Sequence, residues 1–98
     1  MTPPLDFHPD VEGDVQTAYR WHEQTRPGLG RDYLNAVQSR LDTIANSPLI
    51  YGVLSRGTRA APVSGFSYVV YYRVLRNRIL VVAIHHTSRD PAAWQSRK

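Results

Sequence analysis

Cysteine is absent from this 98-residue chain, which excludes disulfides, thiolate nucleophiles and cysteine-ligated zinc together. Lysine is almost absent: Lys98 is the only one, so every other cation is an arginine, whose planar fork suits phosphates and carboxylates. No apolar stretch approaches the roughly 18 residues of a membrane span. The opening MTPPLDFHPD has neither the basic nor the apolar region of a signal peptide, so cytoplasmic residence without a membrane partner is expected. Acidic residues are scarce in the second half. Residues 52–98 carry seven Arg and Lys98 against Asp90 alone, net +7, whereas residues 1–51 carry four Arg against seven Asp or Glu, net −3. A basic half of this kind expects nucleic acid or an acidic protein segment. Also missing are an HxH or HExxH spacing, a compact carboxylate cluster, a serine nucleophile elbow, a phosphate-cradling loop and a dinucleotide fingerprint, so neither a metal nor a cofactor is expected.

What is present reads as one domain over residues 1–98, with 42% hydrophobic and 20% charged residues, large enough for a single core and a shallow site. PPLDF alternates and suits an edge strand. HPDVEGDVQTAYRWHEQT opens with Pro and acids, as helix first turns do, and carries Val11, Val15, Ala18 and His22 at helical spacing. After the RPGLG break, a second helix is predicted from about Leu29 to Asn46, with an apolar stripe of Tyr33, Leu34, Val37, Leu41, Ile44 and Ala45 closed by Ser47-Pro48. From Tyr51 the period becomes strand-like. GVLSRGTRAAPV, GFSYVVYYRVL and ILVVAIHH give three strands, the last a near-continuous apolar run that suits a central position. The expectation is an α+β domain: an N-terminal edge strand, a two-helix hairpin, three antiparallel strands forming one sheet (β-α-α-β-β-β), and a short helical turn at PAAWQSR.

Alternation along GFSYVVYYRVL puts Phe66, Tyr68, Val70, Tyr72 and Val74 on one face and Ser67, Val69, Tyr71, Arg73 and Leu75 on the other. If the first face packs on the helices, the second offers Tyr71 beside Arg73, an aromatic and a cation that suit stacked bases and phosphates, or simply cross-strand packing. His85 and His86 are consecutive and point to opposite faces, so one of them is structural. The other is the candidate general acid or base, since imidazole titrates near neutral pH. Cleavage of RNA at a 2′-hydroxyl needs a base, an acid and cations over the phosphate, which Arg56, Arg59, Arg73 and Arg89 with one of the histidines could supply without a metal. Arg56, Arg78 and Arg97, with Tyr71, are the candidate nucleic-acid or target contacts. Asp90 either holds Arg89 or caps the last turn, with Pro91 at a first helical position.

Three segments in this order resemble the RelE/ParE superfamily of toxins from bacterial type II toxin-antitoxin systems. FHPDVEGDVQTAYRWHEQTRPGLGRDYLNAV is similar to the family's helical hairpin, with its aromatic pair and Pro-Gly-Leu-Gly turn. NSPLIYGVLSRGTRAAPVSGFSYVVYYRV resembles the stretch where a proline leads to arginines and then a Phe-Pro-Tyr strand. ILVVAIHHTSRDPAAWQSR resembles the closing strand with its His, Arg-Asp-Pro, Trp and Arg. His22 replaces Tyr in the aromatic pair, Ser67 stands where Pro is common, and the lysines of RelE-like ribonucleases have no counterpart. The resemblance implies a toxin of plasmid-stabilisation type, growth-arresting and neutralised by a cognate antitoxin whose acidic or amphipathic segment would lie over the basic sheet. It implies one of two targets: the ribosome and its mRNA, cut by a metal-independent endoribonuclease with His85 or His86 as acid-base group, or DNA gyrase, which ParE-like members poison. The histidines tip the reading toward cleavage. A non-catalytic antitoxin-binding module and a plain RNA-binding domain are the competing readings. Trp94 is expected to anchor the C-terminal segment on the sheet.

Overall fold

A computed structural model describes residues 4–97. The order is β1 (Leu5–Phe7), α1 (Val11–Thr25), α2 (Leu29–Asn46), β2 (Val53–Ser55), β3 (Thr58–Pro62), β4 (Tyr68–Val74), β5 (Ile79–His86) and α3 (Ala92–Gln95). Among the described residues these strands make one five-stranded sheet in the order β1-β5-β4-β3-β2. The α+β reading therefore holds, but the sheet is larger and mixed. β1 pairs in parallel with β5, and the other neighbours are antiparallel.

Two physical causes account for the difference. GVLSRGTRAAPV is two strands, because Arg56 (φ 49°) and Gly57 (φ 79°) both take left-handed backbone and fold the segment into a tight hairpin. The N-terminal strand joins the same sheet because β5, apolar on both faces, accepts Leu5–Phe7 along the first half of its free edge.

The helices cover one face. Val11 and Ala18 of α1 and Tyr33, Val37, Leu41 and Ile44 of α2 pack against Val70, Tyr72, Ile79, Val81 and Ile84 of the sheet. The turn between the helices is closed by electrostatics. The Glu23 carboxylate accepts the N–H groups of Gly28 and Gly30 at 3.1 Å, supplying acceptors and negative charge to the otherwise open amino end of α2. Gly28, at φ 89°, takes a conformation that other residues enter at a cost. His22 behaves as an aromatic core residue: Nδ1–H donates to Ala18 O at 2.6 Å and the ring stacks on Tyr33 at 4.8 Å.

The opposite face carries a smaller core of Tyr71, Val82, Ala83 and Trp94. The register between β4 and β5 shifts between Tyr71 and Tyr72, so Val82 and Ala83 both turn to this face. Trp94, delivered by α3, stacks on Tyr71 at 4.3 Å, as the expected anchor would. No helix among the described residues is long and apolar enough to cross a membrane.

Candidate functional site

β1 pairs only with Ile79–Val81, and the N–H of His8 still reaches Val81 O at 2.8 Å. Beyond that point the edge of β5 has no strand beside it among the described residues, and buried peptide groups there need other partners. Two side chains supply them. Asp14, from the sheet-facing side of α1, accepts the N–H of Ile84 at 3.1 Å. Arg97, from the segment after α3, donates to Val82 O at 3.0 Å.

Asp14 and Arg97 also bind each other through two contacts of 2.7 and 3.0 Å, a bidentate carboxylate-guanidinium pair. Their side chains are only 8% and 12% exposed, so the pair is screened little by water. His85 completes the cluster, with Nε2 at 3.2 Å from Asp14 Oδ1. The same Nε2 lies 3.3 Å from Arg97 Nη2, which only donates, so it sits between an acceptor and a donor, and buried Nδ1 is left without a partner among the described residues.

The ionisation states follow from this geometry. Burial is the largest effect on Asp14 and acts upward, but the hydrogen bonds from Arg97 and Ile84 and the nearby cationic groups prevail and hold its pKa below 3.8. Burial is also the largest effect on His85 and lowers its pKa below 6.5, with Arg89 and Arg97 adding to it and Asp14 opposing. The Arg97 guanidinium is held more firmly protonated, first by its bond to Asp14.

His86 faces the other way and is half-buried. Its Nδ1 accepts the N–H of Ser88 at 3.0 Å, which leaves Nε2 as the protonated nitrogen of the neutral ring, and its ring meets Tyr68 edge-on at 5.2 Å. A cavity of about 430 Å³ is lined by Asp14, Tyr68, His85, His86, Arg89 and Arg97 among others. His85, His86, Arg89 and Arg97 are therefore the predicted residues that the fold brings together, around an Asp14 that was not among them.

The remaining predicted residues lie elsewhere. Arg56 and Arg73 line a second groove of about 560 Å³ on the outer sheet face, with Ser55, Thr58 and Trp94. Arg59 donates to the carbonyls of Tyr51 at 2.6 Å and Leu49 at 3.4 Å, so its guanidinium holds backbone. Arg78 pairs with Asp6 at 3.0 Å, tying the start of β5 to β1. Of the two readings of Tyr71, a platform for bases or a packing residue, the fold favours packing: it is buried under Trp94, because the chain after β5 folds back across that face. Asp90 caps the last turn by accepting the N–H of Ala92 at 2.9 Å.

Asp14 is the residue that sequence reasoning missed. A signal was available: Val11, Asp14, Val15 and Ala18 fall on one helical face, and a carboxylate inside an apolar stripe must find a buried partner.

Comparison with known proteins gives three findings. Residues 5–91 match a family model described as ParE toxin of type II toxin-antitoxin system, parDE. A solved structure titled "Chromosomal ParDE TA system from P. aeruginosa" superposes with a TM-score of 0.66 at 14% identity, covering 87% of this chain and 96% of that one. At that identity the likeness is one of fold. No curated protein matches the chain.

Proposed function

The chain belongs to the ParE toxin family of type II toxin-antitoxin systems, and from that membership we propose that it arrests growth by binding and poisoning DNA gyrase, and is released from doing so by its antitoxin. The observation that carries this reading is the state of His85. His85, one of the two residues expected to move protons in RNA cleavage, is buried against the Asp14-Arg97 pair, and its Nε2 is taken up by contacts with both. A general base must reach the proton that it takes, directly or through one water. The cations are also dispersed. Arg59 and Arg78 hold backbone and Asp6, and Arg97 holds Asp14. Arg89 and Arg73 line different cavities, whereas in-line cleavage needs its cations over one phosphate. An arrangement of this kind suits recognition of a large partner better than chemistry on a phosphodiester.

Cleavage keeps one foothold, since His86 and Arg89 share a cavity that solvent reaches. The two readings separate in parallel reactions. Under the proposal, the purified chain blocks supercoiling of relaxed plasmid by gyrase, and a translated mRNA stays intact in its presence. Message cut within translated codons, lost in His86→Ala, together with unimpaired supercoiling, would overturn it.

A further inference from the structure

The groove on the outer sheet face is lined by donors. Ser55, Arg56, Thr58, Arg73, Gln95 and Arg97 bring hydroxyl, guanidinium and amide groups to it, and no carboxylate lines it among the described residues. Arg97 is held by Asp14. Arg56 and Arg73 are exposed and pair with no carboxylate among the described residues.

The sheet register explains why these cations gather. Thr58 pairs with Arg73 across β3 and β4, so the β2-β3 turn carrying Arg56 and the β4-β5 turn carrying Arg76 lie at the same end of the sheet. Neighbouring strands stand about 4.8 Å apart. Arg76 is also exposed and also lacks a carboxylate partner among the described residues, whereas Asp90, the one acid of residues 52–98, follows the opposite end of β5. That end of the sheet is left strongly positive.

Two further features mark it as a site. Arg56 has φ 49°, a left-handed backbone that glycine, asparagine or aspartate enters more readily, and residues held in such regions cluster where ligands bind. Trp94, 3% exposed in the groove wall, has an Nε1–H without an acceptor among the described residues, although buried donors are ordinarily satisfied. Both features call for a ligand rich in acceptors and negative charge. A phosphodiester backbone is such a ligand, whereas an acidic peptide also brings N–H donors that this groove meets with few acceptors. Single strands fit less well. Their recognition rests on rings that stack with bases, and here Trp94 and Tyr71 are buried against each other.

We propose that this end of the sheet is a phosphate-binding site for duplex DNA, with Arg56 and Arg73 on backbone phosphates and Arg76 on an adjoining one. The choice of DNA over another duplex rests on the gyrase reading, since DNA is what gyrase holds, and the site adds a contact to the nucleic acid itself.

The test follows, by fluorescence anisotropy, binding of a labelled DNA duplex to the antitoxin-free chain across about 50 to 200 mM salt. Three phosphate contacts predict that log K falls against log salt with a slope of about −2.7. Arg56→Gln/Arg73→Gln, its fold checked by a melting curve, should bind at least about tenfold weaker at low salt, with a slope shallower by about 1.8. Arg20→Gln/Arg31→Gln removes the same charge from exposed helix positions and should cost less than about threefold. The indole N–H resonance of Trp94, told from that of Trp21 by Trp21→Phe, should move as DNA is added. Equal losses in the two double variants would overturn the inference, because overall charge would then account for binding. So would tighter binding of single-stranded RNA that is lost with Arg56 and Arg73, or antitoxin affinity lost in that variant while DNA binding persists. Gyrase inhibition is scored separately: a chain that spares gyrase yet binds DNA through these arginines upholds the site and removes only the target.

Discussion

Replacing Asp14 by alanine removes at once the acceptor of Ile84 N–H, the partner of His85 and the bidentate partner of Arg97, which keeps Val82 O at 3.0 Å and Asp10 Oδ2 at 3.7 Å. Two costs follow. A half-buried N–H left without an acceptor costs about 1 to 3 kcal/mol. A buried cation left without its partner costs about 3 to 5 kcal/mol where it cannot escape. Arg97 follows a four-residue helix near the end of the described chain and can swing toward water, so the second cost is met only in part. The expected total is about 3 kcal/mol, a large share of the roughly 5 to 15 kcal/mol that stabilises a domain. For a domain of this size that loss lowers Tm by roughly 12 to 24 °C.

The assay is thermal and urea unfolding of the antitoxin-free chain, followed by circular dichroism, for Asp14→Ala, Arg97→Met and the double variant. Because the two side chains share one interaction, the double variant should be more stable than the summed single losses by at least about 1 kcal/mol. An Asp14→Ala protein within about 0.5 kcal/mol of wild type, or strict additivity of the two changes, would refute the view that this pair closes the edge of β5.

Acidification should act on the same cluster. His85 has a folded pKa below its ordinary 6.5, so below that pH the unfolded chain takes up a proton that the folded chain refuses, and stability declines as pH falls from 6.5. His85→Gln should flatten urea midpoints across pH 5 to 7, and an unchanged slope would show that another group governs that window. Trp94→Ala should cost about 3 kcal/mol and uncover Tyr71, read as a lower Tm with increased tyrosine exposure. Gly30→Ala should destabilise by about 1 to 3 kcal/mol, because the added Cβ would stand 2.8 Å from Tyr19 Cε1 in the crowded start of α2. A Tm equal to wild type would show that Tyr19 yields freely.

The elements with strong periodicity were legible in the sequence. Both ends of α2 and of β5 agree with the reading, because Pro and Gly bound the first and a continuous apolar run defines the second. The division of β2 from β3 was hidden by an Arg-Gly turn, since arginine seldom signals left-handed backbone. The alternation of β4 was read correctly, yet the fate of its outer face depended on a tryptophan more than twenty residues away in sequence, an interaction that local pattern leaves open. The site was less legible than the fold. Sequence ranked arginines by charge, whereas their roles here depend on which backbone carbonyl or carboxylate lies within reach. Arg59 and Arg97 were sorted only by geometry.

The central claim is tested most directly by gyrase itself. Relaxed plasmid, ATP and gyrase are incubated with increasing amounts of the purified chain, alone and with its antitoxin. The account predicts that supercoiling falls as the chain is added and recovers when the antitoxin is present. Supercoiling that proceeds undisturbed at a large molar excess of the chain would contradict it.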